Sequence, residues 1–214
     1  MNHAPFRKQN AAFTLIELLV VIGIIALLAA VSVPAFNRMV KAAALSNAGF
    51  SVTDQLNLAR QTALSRNCSV QVRFYCLPVS GNPSNSAPSD YRALQIFLDN
   101  GKTLEPLGKP VYFPSQIIIA PNTLASSIMS TDISMPETTP GNGDFPVGEY
   151  GTNYRYRSFY FKSGGDTDLP DSQDKLVFLT LINKTDKIVD NGMPSNYITI
   201  QIEASTGRVK SYRP

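Results

Sequence analysis

The sequence predicts an α+β fold in which one long N-terminal helix packs on antiparallel β-sheet. Three observations lead there. An apolar run from Phe13 to Val33 continues into a segment whose apolar residues recur at three- and four-residue steps. After Asn67 that period gives way to alternation, and the alternating runs are separated by Gly-, Asn- and Pro-rich turn signals that suit hairpins.

The apolar run, residues 13–33, is about twenty-one residues long, which at ~1.5 Å per residue crosses a hydrocarbon core of ~30 Å. Thr14, Glu17 and Ser32 are its polar interruptions. An ionisable group in mid-membrane costs roughly 2.5–3.5 kcal/mol, so Glu17 calls for a partner. Its nearness to the helix start offers another account, in which the carboxylate snorkels to the interface and meets the positive end of the helix dipole. Pro34 lacks an N–H and marks a helix bend. From residue 34 to 66 the helix is amphipathic, with Leu45, Ala48, Val52, Leu56, Ala59 and Ala63 on one stripe that needs a sheet to cover, and Asn67 is the helix stop.

The β domain, residues 67–214, begins with Val70, Val72 and Phe74 alternating with Gln71, Arg73 and Tyr75, the pattern of a strand with one buried face. Pro78 to Asp90 is a loop by composition. Tyr91 to Leu98 is the next strand, followed by the Asp99-Asn100-Gly101 turn, a return through Val111 to Phe113, and a short buried strand at Gln116 to Ala120. Residues 121–152, rich in Ser, Thr, Pro and Gly, read as an irregular, loop-rich insertion. Strands follow at Arg157 to Lys162, Lys175 to Ile182 and Tyr197 to Glu203, and the last turns at Ala204 to Gly207 into Arg208 to Tyr212. About 150 residues beyond the helix suffice for one core of ordinary size.

Composition narrows the function. The formal net charge is +3, of which Arg7 and Lys8 supply two, so no global basic field points to nucleic acid. The single histidine, His3, lies ahead of the apolar run, and no Gly-rich phosphate loop, metal-ligand cluster or nucleophile with an evident base follows it. Catalysis is not expected, nor a cofactor. Cys68 and Cys76 flank one strand that would hold their Cα atoms about 26 Å apart, whereas a disulfide needs roughly 4.4–6.8 Å, so two small buried thiols are expected. Gly164-Gly165-Asp166-Thr167-Asp168, with Asp171 and Asp174, is a solvated acidic turn whose spacing fits no calcium loop, and no metal is assigned.

Residues 1–12 form a polar leader whose small Ala11 and Ala12 precede the apolar core instead of following it. A cut between Ala12 and Phe13 would retain the core and create a cationic amine one helical turn from Glu17. From Ala12 to Phe36 the residues resemble the class III signal of type IV pilins and type II secretion pseudopilins. That resemblance implies cleavage by a prepilin peptidase on the cytoplasmic side, N-methylation of Phe13, and guidance of fibre assembly by Glu17 with other pilin or pseudopilin subunits. Ala12 stands where the family usually has Gly. The run from Gln55 to Asn67 followed by a strand resembles minor pseudopilins of the GspH and FimT type, and with Tyr197 to Pro214 also the prepilin-like group called Verru_Chthon cassette protein D. The implied place is the inner membrane, with the C-terminal domain in the periplasm before fibre assembly.

Two rival expectations come from other features. Arg208, Lys210 and Arg213, with Tyr212, make a basic end to the chain that suits phosphate contact and base stacking, as a DNA-capturing subunit would require. A chain that kept its leader would instead be a membrane-anchored surface protein that never polymerises.

Overall fold

The computed structural model describes residues 14–78, 86–130, 133, 135–141, 143–171, 176–186 and 193–214. The chain falls into two compact units, Met1–Lys41 and Ala42–Pro214. Helix α1, Leu15–Arg66, contributes to both.

In the first unit the helix exposes apolar side chains on every side, from Leu15 and Ile16 through Leu28 to Val31 and Val33. Position 34 lies within α1.

In the second unit two antiparallel sheets meet α1. The helix stops as expected: Asn67 takes the left-handed conformation at φ 49°, and the Cys68 N–H donates to Ala63 O at 3.3 Å, closing the last turn. The first sheet contains β1 (Ser69–Leu77), β2 (Asp90–Asp99), β3 (Leu104–Pro106), β4 (Val111–Tyr112) and β6 (Arg155–Phe161). Its order is β3-β2-β1-β6, with β4 also on β2. The second sheet runs β5-β7-β8-β9, made of β5 (Ile117–Ile119), β7 (Val177–Asn183), β8 (Tyr197–Ile202) and β9 (Val209–Tyr212). β3 escapes sequence reading because three residues ending in Pro carry no alternation.

The predicted stripe of α1 is the seam of the core. Leu45, Val52, Leu56, Ala59 and Ala63 are fully buried against Val70, Val72 and Phe74 of β1, Phe159 and Phe161 of β6 and Ile198, Ile200 and Ile202 of β8. A Cβ on Gly49 would meet Ile198 Cδ1 at 2.9 Å, so the missing side chain sets how closely helix and sheet approach. Arg60 ties the helix to two turns, donating from Nε to Thr206 O at 2.8 Å and Gly165 O at 3.3 Å.

The expectation that β1 buries one face is corrected. Gln71, Arg73 and Tyr75 are buried too, and with Ala93, Phe97 and Tyr156 they form a second core beneath Phe145, Val147, Tyr150 and Tyr154. The covering segment belongs to residues 121–152 and the approach to β6. Its only regular elements among the described residues are two 3₁₀ turns, Ser127–Met129 and Gly148–Tyr150. Alternation showed the polar face of β1 but not that Asp144 would come down to meet it.

Candidate functional site

Ala12 and Phe13 lie outside the described residues, so the site is built from Thr14 onward. Thr14 precedes the first helical residue and Glu17 stands three residues on, the spacing of a capping box. The Thr14 N–H donates to Glu17 Oε2 at 2.9 Å and the Glu17 N–H returns to Thr14 Oγ1 at 3.3 Å. The Thr14 hydroxyl adds a second bond to the same carboxylate oxygen at 2.9 Å. Ser32 turns its hydroxyl back to Leu28 O at 2.8 Å, which hides it within the helix. All three polar side chains of the apolar run are therefore hydrogen-bonded locally. The donors to Glu17 are neutral and offer no opposite charge, so a carboxylate here would still gain from a cation. The T-x-x-E signature was present in the sequence and the capping role was missed. The helix reaches a mean hydropathy of 2.8 over an 18-residue window with none of that window buried, so it is long and apolar enough to cross a membrane.

The basic C-terminal residues separate into two groups. Along β9, Arg208, Lys210 and Tyr212 share one face, all three exposed. Arg213 is held instead by the body: its Nη1 donates to Ser46 Oγ at 2.7 Å and its Nη2 to Asn196 Oδ1 at 3.1 Å. The structure brings the first three together and assigns the fourth a bracing contact to α1.

Other polar groups serve the fold. The Arg73 guanidinium lies 4.7 Å from the Phe97 ring centre and 4.4 Å from that of Tyr156, and pairs with Asp144 at 2.9 Å. Burial works to lower its pKa, but the Asp144 hydrogen bond and the neighbouring tyrosines outweigh burial and leave it raised. In the acidic turn, Asp166 pairs with Lys162 at 3.2 Å and Asp168 Oδ1 accepts the Tyr160 N–H at 2.7 Å, while Asp174 lies outside the described residues. Among the described residues no group of three or more His, Cys, Asp or Glu side chains gathers. Cys68 and Cys76 are free thiols, but only Cys76 is buried as expected, Cys68 at the helix stop being half-buried; burial pushes Cys76 up to about 11 despite the opposing charge of Arg155. A cavity of about 440 Å³, lined by Arg92, Tyr112, Phe113, Glu149 and Tyr150, was invisible in the sequence because three separate segments assemble it.

Residues 7–33 match the prokaryotic N-terminal methylation motif, so the chain carries that motif. Among solved structures, the type IV minor pilin FimU of Pseudomonas aeruginosa is similar at 12% identity and a TM-score of 0.43, over 79% of this chain and 92% of that one. The minor pseudopilin EpsH of the type II secretion system of Vibrio cholerae is similar at 11% identity and a TM-score of 0.42, over 79% of this chain and 97% of that one. The comparison with curated proteins finds no match.

Proposed function

We propose that this chain is a minor pilin-like or pseudopilin-like subunit, cut by a prepilin peptidase between Ala12 and Phe13, methylated at the Phe13 amine, and assembled into a type IV pilus or a type II secretion-type pseudopilus. The supporting observation is the methylation motif over residues 7–33, which takes in the exposed apolar part of α1 with Glu17 in its first turn. The leader stays on the cytoplasmic side, the helix anchors in the inner membrane, and the β domain stands in the periplasm. On assembly, helix-to-helix packing replaces lipid, and Glu17 pairs with the Phe13 amine of a neighbouring subunit so that neither charge remains alone.

Expression with and without a prepilin peptidase, followed by mass spectrometry of the N-terminus, tests the processing. A methylated Phe13 terminus that appears only with the peptidase is expected. A leader retained under both conditions overturns the reading in favour of a membrane-anchored surface protein. Glu17→Ala should be processed yet fail to enter the fibre, and incorporation equal to the parent chain would remove Glu17 from assembly.

A second reading rests on the shared exposed face of Arg208, Lys210 and Tyr212, which offers two cations and an aromatic ring to a nucleic-acid strand. It requires binding that weakens as salt rises and that falls when Arg208 and Lys210 are neutralised.

A further inference from the structure

The free edges of the two sheets are treated differently. At the β6 edge, Tyr156 exchanges two backbone bonds with Thr138, and Tyr160 is bonded through both its N–H and its C=O to Asp168. At the unpaired half of β7, the Ser126 and Ser127 hydroxyls accept the Thr180 and Phe178 N–H groups, and the Ala120 N–H reaches Thr180 O. The β9 edge has no such cover among the described residues. The Glu203 N–H donates to Arg208 O at 2.9 Å, and the antiparallel register pairs Gln201 with Lys210 and Thr199 with Tyr212. Alternation in an antiparallel ladder then points the backbone groups of Lys210 and Tyr212 toward β8, and those of Val209 and Ser211 away from it.

The two sides of that edge differ in chemistry. On the outer face stand Arg208 and Lys210. On the helix side a hollow of about 170 Å³ opens between Ser211 and α1, lined by Gly49, Ile198 and Phe50, the last 67% exposed, with Arg213 at its margin already bonded to Ser46. A strand added here would place alternate side chains on these two sides.

We propose that the β9 edge receives an extended segment of another protein in which acidic and apolar residues alternate, the acidic ones opposite Arg208 and Lys210 and the apolar ones over the hollow beside Phe50. The segment bonds through the N–H and C=O groups of Val209 and Ser211 and extends the second sheet by one strand. Among the described residues Arg208 and Lys210 enter no salt bridge, and the Glu203 carboxylate across from Arg208 is taken up by the Thr206 hydroxyl, so the outer face favours acidic over basic segments. This docking does not depend on leader cleavage or fibre assembly, and it is tested on the unprocessed full chain in detergent micelles.

Amide hydrogen exchange is followed residue by residue in the presence of a short peptide alternating Glu and Val. The amides of Val209 and Ser211 should exchange freely in the chain alone and become protected with this peptide, but not with the same peptide carrying Lys for Glu. Ser211→Pro removes one outward N–H without touching the bonds to β8, so the melting temperature should hold while peptide affinity falls at least roughly tenfold. Protection of both amides before any peptide is added, or none after it, overturns the proposal whether or not the variant folds. Unchanged binding by a folded Ser211→Pro does the same. A single-stranded oligonucleotide that binds through Arg208 and Lys210 where the Glu–Val peptide does not would assign this surface to nucleic acid instead.

Discussion

The two ends of α1 solve opposite problems with the same backbone. From Leu15 to Val33 apolar side chains point outward in all directions, and the polar side chains Thr14, Glu17 and Ser32 are satisfied within one turn of themselves. From Leu45 to Ala63 the apolar residues keep to one stripe, and polar groups find partners far along the chain, as Arg60 does with Thr206 and Arg213 with Ser46. A segment whose needs are met locally can move between lipid and a bundle of like helices without rebuilding its hydrogen bonds. One whose partners are distant in sequence is fixed to a single body.

That difference is open to attack, beginning where a loss should be largest. Arg73→Ala leaves Asp144 without its cation beneath the covering segment, and chemical denaturation should show a loss of about 3–5 kcal/mol, with the apolar run unaffected. A loss below ~1 kcal/mol would mean that water reaches the second core and that its polar pairs are no more demanding than surface ones.

Alkali should weaken the body next. Burial raises the folded Cys76 thiol from 9.0 to about 11, so the stabilisation by its neutral form is complete below about pH 9 and disappears as pH rises through about 11. The two-unit difference corresponds to roughly 2–3 kcal/mol, which Cys76→Ala should remove from the pH profile. At neutral pH a thiol reagent should modify the half-buried Cys68 and leave Cys76 untouched until the domain unfolds.

Gly207→Ala should cost about 1–3 kcal/mol, because φ at this position is 63° and the new Cβ would collide with Gly165 O. Smallest is Thr14→Val, which removes the N-cap at about 1 kcal/mol. Amide exchange in micelles should quicken in the first helical turn alone, and the melting temperature of the β domain should not change. A change there would show that the two ends of α1 are not independent.

Much of the fold was legible because it is written in short-range patterns. The stripe from Leu45 to Ala63, the stop at Asn67, the turns at Asp99 and Ala204, and the strands β1, β2, β8 and β9 each follow from spacing within a few residues. Even the capping box of Thr14 and Glu17 had its signature in the three-residue spacing, alongside the charge that calls for a partner. What escaped were meetings between segments. The second face of β1 is buried because residues 138–154 fold over it, and nothing in the alternation of Gln71, Arg73 and Tyr75 announces that cover. Arg213 reads as one more basic residue until Ser46 appears beside it.

By itself the sequence determined the N-terminal signal, the exposed helix and the strand-forming segments, since period, caps and hydropathy act over one or two turns of chain. The tertiary structure decided which strand faces would be dry, which sheet edges would be sealed, and that β9 would be left open among the described residues, with Arg208 and Lys210 on one side and Phe50 on the other. Those outcomes depend on register and on contacts between separate segments, 71 positions apart for Arg73 and Asp144 and 167 for Ser46 and Arg213, where local preference carries no information.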